Sequence, residues 1–322
     1  MKNGNMVLIL STLGDQTTTS VIRWLLYFGV STDKIVRVND TDLLRVNRIA
    51  LSEKGLSTEL RIQNSNYNIK LHEVESYWYR RGQWRFAFEK TGSYGLDVTL
   101  RKEISGIERF INDFLRRLPT RIGCYYENEV NKLTCLLMAN NIGLKIPKTL
   151  ITALKEAVDM STRASKAITD IMQCRVGDKI LGVHTILLDE ETFNTAPTVF
   201  FPTLFQQYIQ KSYELRIFYL HGELYPMAIF SQNNEKTRID FRHYDRERPN
   251  RTVPYKLPRY IQSKLLRLMK LLKFSSGSID MVVDEMGDYY FLEVNPIGQF
   301  EQVSFPCNYF LEREVARRLY LK

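Results

Sequence analysis

Asp280 lies in the apolar segment Ser278–Val283, and Glu293 and Asn295 lie in the segment Tyr289–Asn295, with Asp284-Glu-Met-Gly-Asp288 between them. Each segment reads as a strand, and the short polar stretch reads as the turn that closes them into a hairpin. With Val283 opposite Tyr290, Asp280 falls opposite Glu293. Asn295 then shares the face of Glu293, because side chains alternate with a period of two. Two carboxylates held that close repel unless a cation sits between them. Oxygen donors without His or Cys select a hard ion, Mg²⁺ or Mn²⁺, whose usual service is to bridge nucleotide phosphates. The spacing also fits two acids facing water from an edge pair, and spacing alone does not choose between these.

Other side chains with chemical capacity sit upstream. Glu214 and Arg216 are two apart in an apolar run and share a strand face. Arg238, Asp240 and Arg242 alternate with apolar residues; they form either a basic face suited to an acyl-phosphate or a solvated edge strand protected by its charges. Asp189-Glu190-Glu191 is an acidic turn, and such charge runs are commonly just solvated. His243 stands alone, which is more often a structural role than a catalytic one.

These residues need a scaffold, and the pattern supplies one. Met6–Leu10 reads as a buried strand, followed by a polar loop with Gly14 and a helix over Val21–Phe28. Strand-like alternation recurs at Lys34–Val38 and Ile69–Tyr79, with a polar stretch signalled as turns by Asn64, Ser65, Asn66 and Asn68 between them. Helical spacing covers Leu100–Leu118, where Pro119 stops it, and again Glu129–Asn140, with Gly143 and Pro147 marking the exit into a strand at Lys148–Ile151. Beyond lie a helix near Leu154–Met160, a strand near Ala164–Ile168 and a hairpin from Asp170 to Leu188 that turns at Gly177-Asp178. Strands at Tyr213–Phe218 and Leu224–Phe230 joined by His221-Gly222, a helix at Arg259–Leu272, the carboxylate hairpin and a helix at Tyr309–Leu321 complete the pass.

A chain of 322 residues exceeds one core and implies several lobes. The longest apolar runs fall far short of the ~20 residues of a membrane span, so no membrane partner is expected. The apolar stretch near the N-terminus is too short for an export signal. Cys124, Cys135, Cys174 and Cys307 are scattered without metal spacing, so neither zinc nor a disulfide framework is expected; reduced thiols and a cytoplasmic location follow. The net charge of +9 attracts anions in general. Its basic residues are dispersed and carry no nucleic-acid-binding motif, which argues against that partner.

The string Phe291-Leu-Glu293-Val-Asn295-Pro296, with Asp280 upstream, resembles the metal-binding strand of the ATP-grasp superfamily. Asn131-Lys132-Leu133 through Gly143-Leu-Lys-Ile-Pro147-Lys-Thr is similar to its lead into the nucleotide site. The resemblance implies a mixed α/β and α+β architecture: an N-terminal α/β lobe over 1–125, then two α+β lobes, a small one over 126–205 and a large one over 206–322, clasping ATP. It implies that Asp280, Glu293 and Asn295 hold Mg²⁺ and that Lys166, Lys179 and Lys132 meet the phosphates. Gln206, Gln207, Tyr208 and Ile209 would form the adenine hinge, read mostly by the backbone of the last two, and Glu214 would accept the ribose hydroxyls. Arg216 would stabilise the transferring phosphoryl group, with Arg238 beside it. Between Lys166 and Gly182 the only glycines are Gly177 and Gly182, so the phosphate-covering loop is leaner in glycine than in many of these enzymes.

Within the superfamily, the run Tyr208-Ile-Gln-Lys-Ser-Tyr-Glu214-Leu-Arg216, the Asp240-Phe-Arg242 triplet and the tail Phe305-Pro306-Cys307-Asn308-Tyr309 resemble the graspetide maturases, the microviridin-type and grasp-with-spasm peptide macrocyclases. That resemblance implies a ribosomal precursor peptide, leader and core, as partner. Its Asp or Glu side chains would be phosphorylated by ATP and attacked by Ser, Thr or Lys to close ester or amide rings. Asp189, Glu190 and Glu191 would hold a basic residue of the leader, Asp240 and Arg242 would face the core, and a homodimer is admissible. Two rivals remain: a ligase that adds free amino acids to a protein tail or small acid, and a catalytically silent nucleotide-dependent binding protein.

Overall fold

The computed structural model describes residues 6–320 apart from 64, 66, 160, 163, 167, 169–172, 183–184 and 233–246. Its contacts divide the chain into two compact units, Met1–Asn128 with Phe310–Lys322, and Glu129–Tyr309.

The first unit opens with β1 (Met6–Ser11), buried at every position without alternation, the mark of a strand covered on both faces. α1 (Gln16–Tyr27) follows, its first turn held by the Asp15 carboxylate, which accepts from the Thr18 amide at 2.8 Å. Then come β2 (Ile35–Asn39), a hairpin of β3 (Leu44–Ser52) and β4 (Gly55–Ile62), the short β5 (Asn68–Ile69), β6 (Val74–Tyr79), the long α2 (Tyr94–Leu115) and β7 (Thr120–Ile122). The main sheet has the order β2-β1-β6-β7 with every pairing parallel, and β3, β4 and β5 form a separate antiparallel sheet. That hairpin replaces the turn region expected between Val38 and Ile69, and it buries Leu44, Leu60 and Ile62 together with Thr58. The Ile69–Tyr79 segment is likewise not one strand, because a 3₁₀ turn over Leu71–Glu73 separates β5 from β6.

The second unit begins with α3 (Lys132–Asn141), whose start is fixed by Asn131; its side chain accepts from the amides of Leu133 and Thr134 at 2.9 and 3.3 Å. A small lobe follows: β8 (Thr149–Leu154), β9 (Ala164–Lys166), the hairpin of β10 (Gln173–Val176) and β11 (Lys179–Gly182), β12 (Ile186–Leu187), α4 (Glu190–Thr195) and β13 (Val199–Gln206). The helix expected near Leu154–Met160 is only a 3₁₀ turn over Lys155–Ala157, since a strand continues through Leu154. The sheet order is β12-β9-β13-β8, antiparallel throughout.

A large lobe completes the unit: β14 (Lys211–Leu220), β15 (Glu223–Phe230), β16 (Arg251–Pro254), α5 (Arg259–Leu271), β17 (Ser276–Asp284), β18 (Tyr289–Asn295) and α6 (Glu301–Cys307). Its antiparallel sheet has the order β16-β15-β14-β17-β18. One face carries Leu215, Ile217, Ile279, Met281, Val283, Phe291 and Val294, packed against Ile261, Leu265, Leu268 and Met269 of α5 and Cys135, Leu136 and Ala139 of α3. Burying each such large side chain contributes ~1.5–3 kcal/mol, so this face anchors the lobe and leaves the other free for chemistry. The last helix, α7 (Leu311–Tyr320), packs with the first unit, against α1.

Candidate active site

The free face of the large-lobe sheet is lined by Glu214 and Arg216 from β14, Asp280 and Val282 from β17 and Glu293 from β18. The first four follow from simple alternation; Glu293 does not. Val283 stands opposite Tyr289, not Tyr290, because the turn after Asp284 is tighter by one residue than the sequence suggests. Asp284 holds it with Oδ1, which accepts from the amides of Met286 and Asp288 at 3.0 and 2.8 Å, while Gly287 takes φ +83°. Continued without interruption from Met281 opposite Phe291, the ladder would put Leu292 opposite Asp280 and turn Glu293 into the apolar core. A bulge at Leu292 takes up the extra residue, so Glu293 stands opposite Asp280 and Val294 drops into the core opposite Ile279. The expected pairing of the two acids holds, by a different path.

Arg216, Asp280 and Glu293 thus form one row across three adjacent strands, each at least nine-tenths buried. The guanidinium of Arg216 donates to both Asp280 oxygens at 3.1 Å. Lys132, at the first position of α3, lies 3.4 Å from a Glu293 oxygen, and the Asn295 amide lies 3.5 Å from the other. Each buried acid has a cation beside it, as buried charge requires. Cys135 is close enough to feel Glu293; burial first, and that charge second, push its thiol up to about 11, so it stays protonated and unreactive near neutral pH.

A cleft opens beside Asp280 and Glu293, lined also by Lys166 and Ala164 of β9 and by Gln206, Gln207, Tyr208 and Ile209. The two glutamines are already engaged: the Gln206 amide donates to the Thr149 hydroxyl at 3.0 Å, and the Gln207 side-chain oxygen accepts from the Lys148 amide at 3.3 Å. Tyr208 and Ile209 follow them along the same wall of the cleft.

The structure therefore brings together Lys132, Lys166, Gln206, Gln207, Tyr208, Ile209, Glu214, Arg216, Asp280 and Glu293, with Asn295 two residues beyond Glu293 on β18, opposite Ser278. Asp189, Glu190 and Glu191 do not line the cleft; Asp189 caps α4, accepting from the Thr192 amide at 2.7 Å, and the Thr192 hydroxyl first and this amide second hold its carboxyl below the usual range. Of Lys179 only the backbone position, at the start of β11, is described, and Arg238, Asp240, Arg242 and His243 lie outside the described residues. Among the charged residues lining the cleft, Lys211, buried in contact with Glu214, was given no role by the sequence. Its odd separation from Glu214 assigns it to the opposite face, and only a second bulge, at Ser212, reverses that.

No protein-family model matches the sequence, and no curated protein matches it. Solved structures do. The chain is similar to the macrocyclase MdnC bound with precursor peptide MdnA from Microcystis aeruginosa MRC, at 25% identity and a TM-score of 0.76, over 98% of this chain and 99% of that one. It is similar to a Chryseobacterium gregarium RiPP-associated ATP-grasp ligase in complex with ADP and a leader and core peptide, at 22% identity and a TM-score of 0.77, over 98% and 96%. A third likeness is to the ATP-grasp ligase PsnB complexed with minimal precursor, Mg and ADP, at 14% identity and a TM-score of 0.68, over 99% and 98%. The row Arg216–Asp280–Glu293 and the sheets of the small and large lobes accordingly sit in an ATP-grasp fold, the fold of these ligases.

Proposed function

We propose that the protein is an ATP-dependent ligase that activates Asp or Glu side chains of a ribosomal precursor peptide and closes ester or amide macrocycles with Ser, Thr or Lys side chains. The observation that carries this reading is the row Arg216–Asp280–Glu293 beside a cleft that Gln206, Gln207, Tyr208 and Ile209 also line. The likeness to peptide-bound ligases over nearly the whole chain supports the substrate class.

The donors suit a hard ion. Two buried carboxylates and an amide offer only oxygen, and among the described residues no group of three or more His, Cys, Asp or Glu surrounds any point. Asp280, Glu293 and Asn295 would therefore hold Mg²⁺, or Mn²⁺, with the remaining positions filled by phosphate and water oxygens. Bound there, the ion would neutralise phosphate charge and polarise the transferring group.

The protein groups divide the remaining work. The Tyr208 and Ile209 backbone reads the adenine edge, Glu214 accepts the ribose hydroxyls, and Lys132, Lys166 and Lys179 meet the phosphates. Arg216, held flat by Asp280, offers its fork to the phosphoryl group as a substrate carboxylate oxygen attacks the γ-phosphorus and ADP leaves. A hydroxyl or amine of the same peptide then attacks the acyl carbon, losing its proton as phosphate departs, and proximity within one bound chain supplies much of the acceleration. Arg238 would act beside Arg216 on the transferring group, Asp240 and Arg242 would meet the core peptide, and Asp189, Glu190 and Glu191 a basic residue of the leader. The clasp consists of the small lobe, 126–205, and the large lobe beginning at 206. We place the reaction in the cytoplasm, where ATP and nascent peptide coexist, and admit a homodimer.

The test is mass spectrometry of a cognate acidic peptide incubated with ATP and Mg²⁺. Wild-type protein removes one water per ring, and Glu293→Gln removes none while melting at the wild-type temperature. Undiminished water loss by that variant overturns the metal assignment. Turnover of free Glu without any peptide identifies the amino-acid-adding rival, and nucleotide binding without turnover identifies the silent binding protein.

A further inference from the structure

Lys211 does not belong to the row just described, yet its burial is as complete. The side chain is 4% exposed and ion-paired with Glu214, itself 7% exposed, and both line the cleft. The pairing is built by the backbone. Lys211 stands opposite Asp284 and Tyr213 opposite Val283, so Ser212 is an extra residue bulged out of β14, and it is exposed. Without the bulge, Ser212 would occupy the cleft face and Lys211 would point with Tyr213 toward the apolar side. Placing a lysine in the core costs several kcal/mol unless it is paired, so the bulge and the pair are a single device that puts a fixed ammonium beside Glu214.

We propose that Lys211 is a positioning residue for nucleotide selection: it keeps the Glu214 carboxylate ionised and oriented so that its oxygens accept from the ribose hydroxyls, and so sets the preference for ribo- over deoxyribonucleotide. This rests on the reading of Glu214 as the ribose acceptor. The reasoning is electrostatic. Arg216 donates to both carboxylate oxygens of Asp280, and Lys211 is a cation in direct contact with Glu214. A carboxylate buried without a counter-charge tends to take up a proton, and a neutral carboxyl is a weaker acceptor by roughly the difference between a charged and an uncharged hydrogen bond.

The experiment measures kcat/KM for ATP, 2′-deoxyATP and 3′-deoxyATP with one peptide substrate, in wild type, Lys211→Met, Lys211→Arg and Glu214→Gln. The ratio between two nucleotides on the same protein is independent of how much of a variant is folded, so instability does not obscure the result. If the proposal holds, Glu214→Gln loses the preference for ATP, Lys211→Met loses roughly tenfold of it, and Lys211→Arg, which keeps the charge, recovers most of it. A wild-type ratio in Lys211→Met alongside a lost one in Glu214→Gln overturns the role of Lys211 alone. A wild-type ratio in Glu214→Gln overturns the ribose assignment and this proposal with it.

Discussion

Arg216 illustrates what one side chain must do when it serves both packing and chemistry. It is buried, and it meets both oxygens of Asp280; a lysine in its place would keep the charge but lose the planar fork. Arg216→Lys should therefore fold and bind ATP while kcat falls by roughly 10²–10³, the usual cost of one donor to a developing charge. Steady-state kinetics decide it, and a loss confined to KM would move Arg216 out of the phosphoryl-transfer step. In the first unit, Glu127 is buried beside Arg121, at 3.2 Å. Burial outweighs the pull of the arginine and raises its carboxyl from 4.5 to about 7. The sign follows from linkage. The folded chain holds this proton up to about pH 7 while the unfolded chain releases it near 4.5, so the stabilisation is full below pH 4.5 and is lost as pH rises through 7, by up to ~3 kcal/mol. Glu127→Gln should melt higher than wild type at pH 8 and match it at pH 4; a lower melting temperature at pH 8 would show that the Arg121 pair dominates instead.

At the scale of elements, two β-bulges and one glycine set the site. The bulges at Ser212 and Leu292 each swing a charged residue, Lys211 and Glu293, from the apolar face to the cleft face. Gly298, in the loop after β18, lies against β17 so closely that an added Cβ would sit 2.3 Å from the Ser278 hydroxyl and 2.6 Å from its backbone nitrogen. Gly298→Ala must lift the loop away from Asn295, and because part of the obstruction is backbone, Ser278→Gly cannot relieve it. We expect the single and double variants to be equally poor in activity; recovery in the double variant would show that only the hydroxyl matters. The cap of α3 is a milder case. Asn131→Ala should cost ~1 kcal/mol in denaturant unfolding, and Asn131→Asp or Ser much less, while weakening ATP binding through Lys132 at the first helical position.

At the scale of the molecule, the metal is a ligand rather than a staple. The fold's apolar core lies on the face of the large-lobe sheet opposite Asp280 and Glu293, and in the structure Arg216 and Lys132 already balance those acids. Chelation with EDTA should abolish peptide modification while leaving the thermal transition of the nucleotide-free protein unmoved. Mg²⁺ with ATP should raise that transition by mass action, by ~2.7 kcal/mol of apparent stability at a hundredfold excess over Kd. A chelator that lowers the melting temperature of the nucleotide-free protein contradicts this. No helix among the described residues is long and apolar enough to cross a membrane.

Much of this was legible in the sequence, where periodicity and chemistry coincide. Glu214 and Arg216 share a strand face because their separation is even. The closing hairpin announces itself by its turn, and the oxygen-only donor set by its residue types. The two longer helices of the second unit, α3 and α5, were found within a few residues because caps and apolar spacing are local, whereas the short α4 and α6 carry too few turns for a periodicity and were missed. Other features depended on non-local pairing. The β3–β4 hairpin hides in a polar stretch because its partner, not its own composition, makes it a strand. The residue-by-residue register of β17 with β18 is wrong by one at the turn and right at the acids, because a bulge is a property of two paired strands and leaves no mark in either alone. Lys211 lay beyond reach for the same reason: the expected strand began at Tyr213, and only the ladder's shift at Ser212 placed Lys211 beside Glu214. Sequence determined which groups were available and roughly where; tertiary structure decided which face each presents, since that choice turns on single-residue offsets between strands whose hydrogen bonds are satisfied either way.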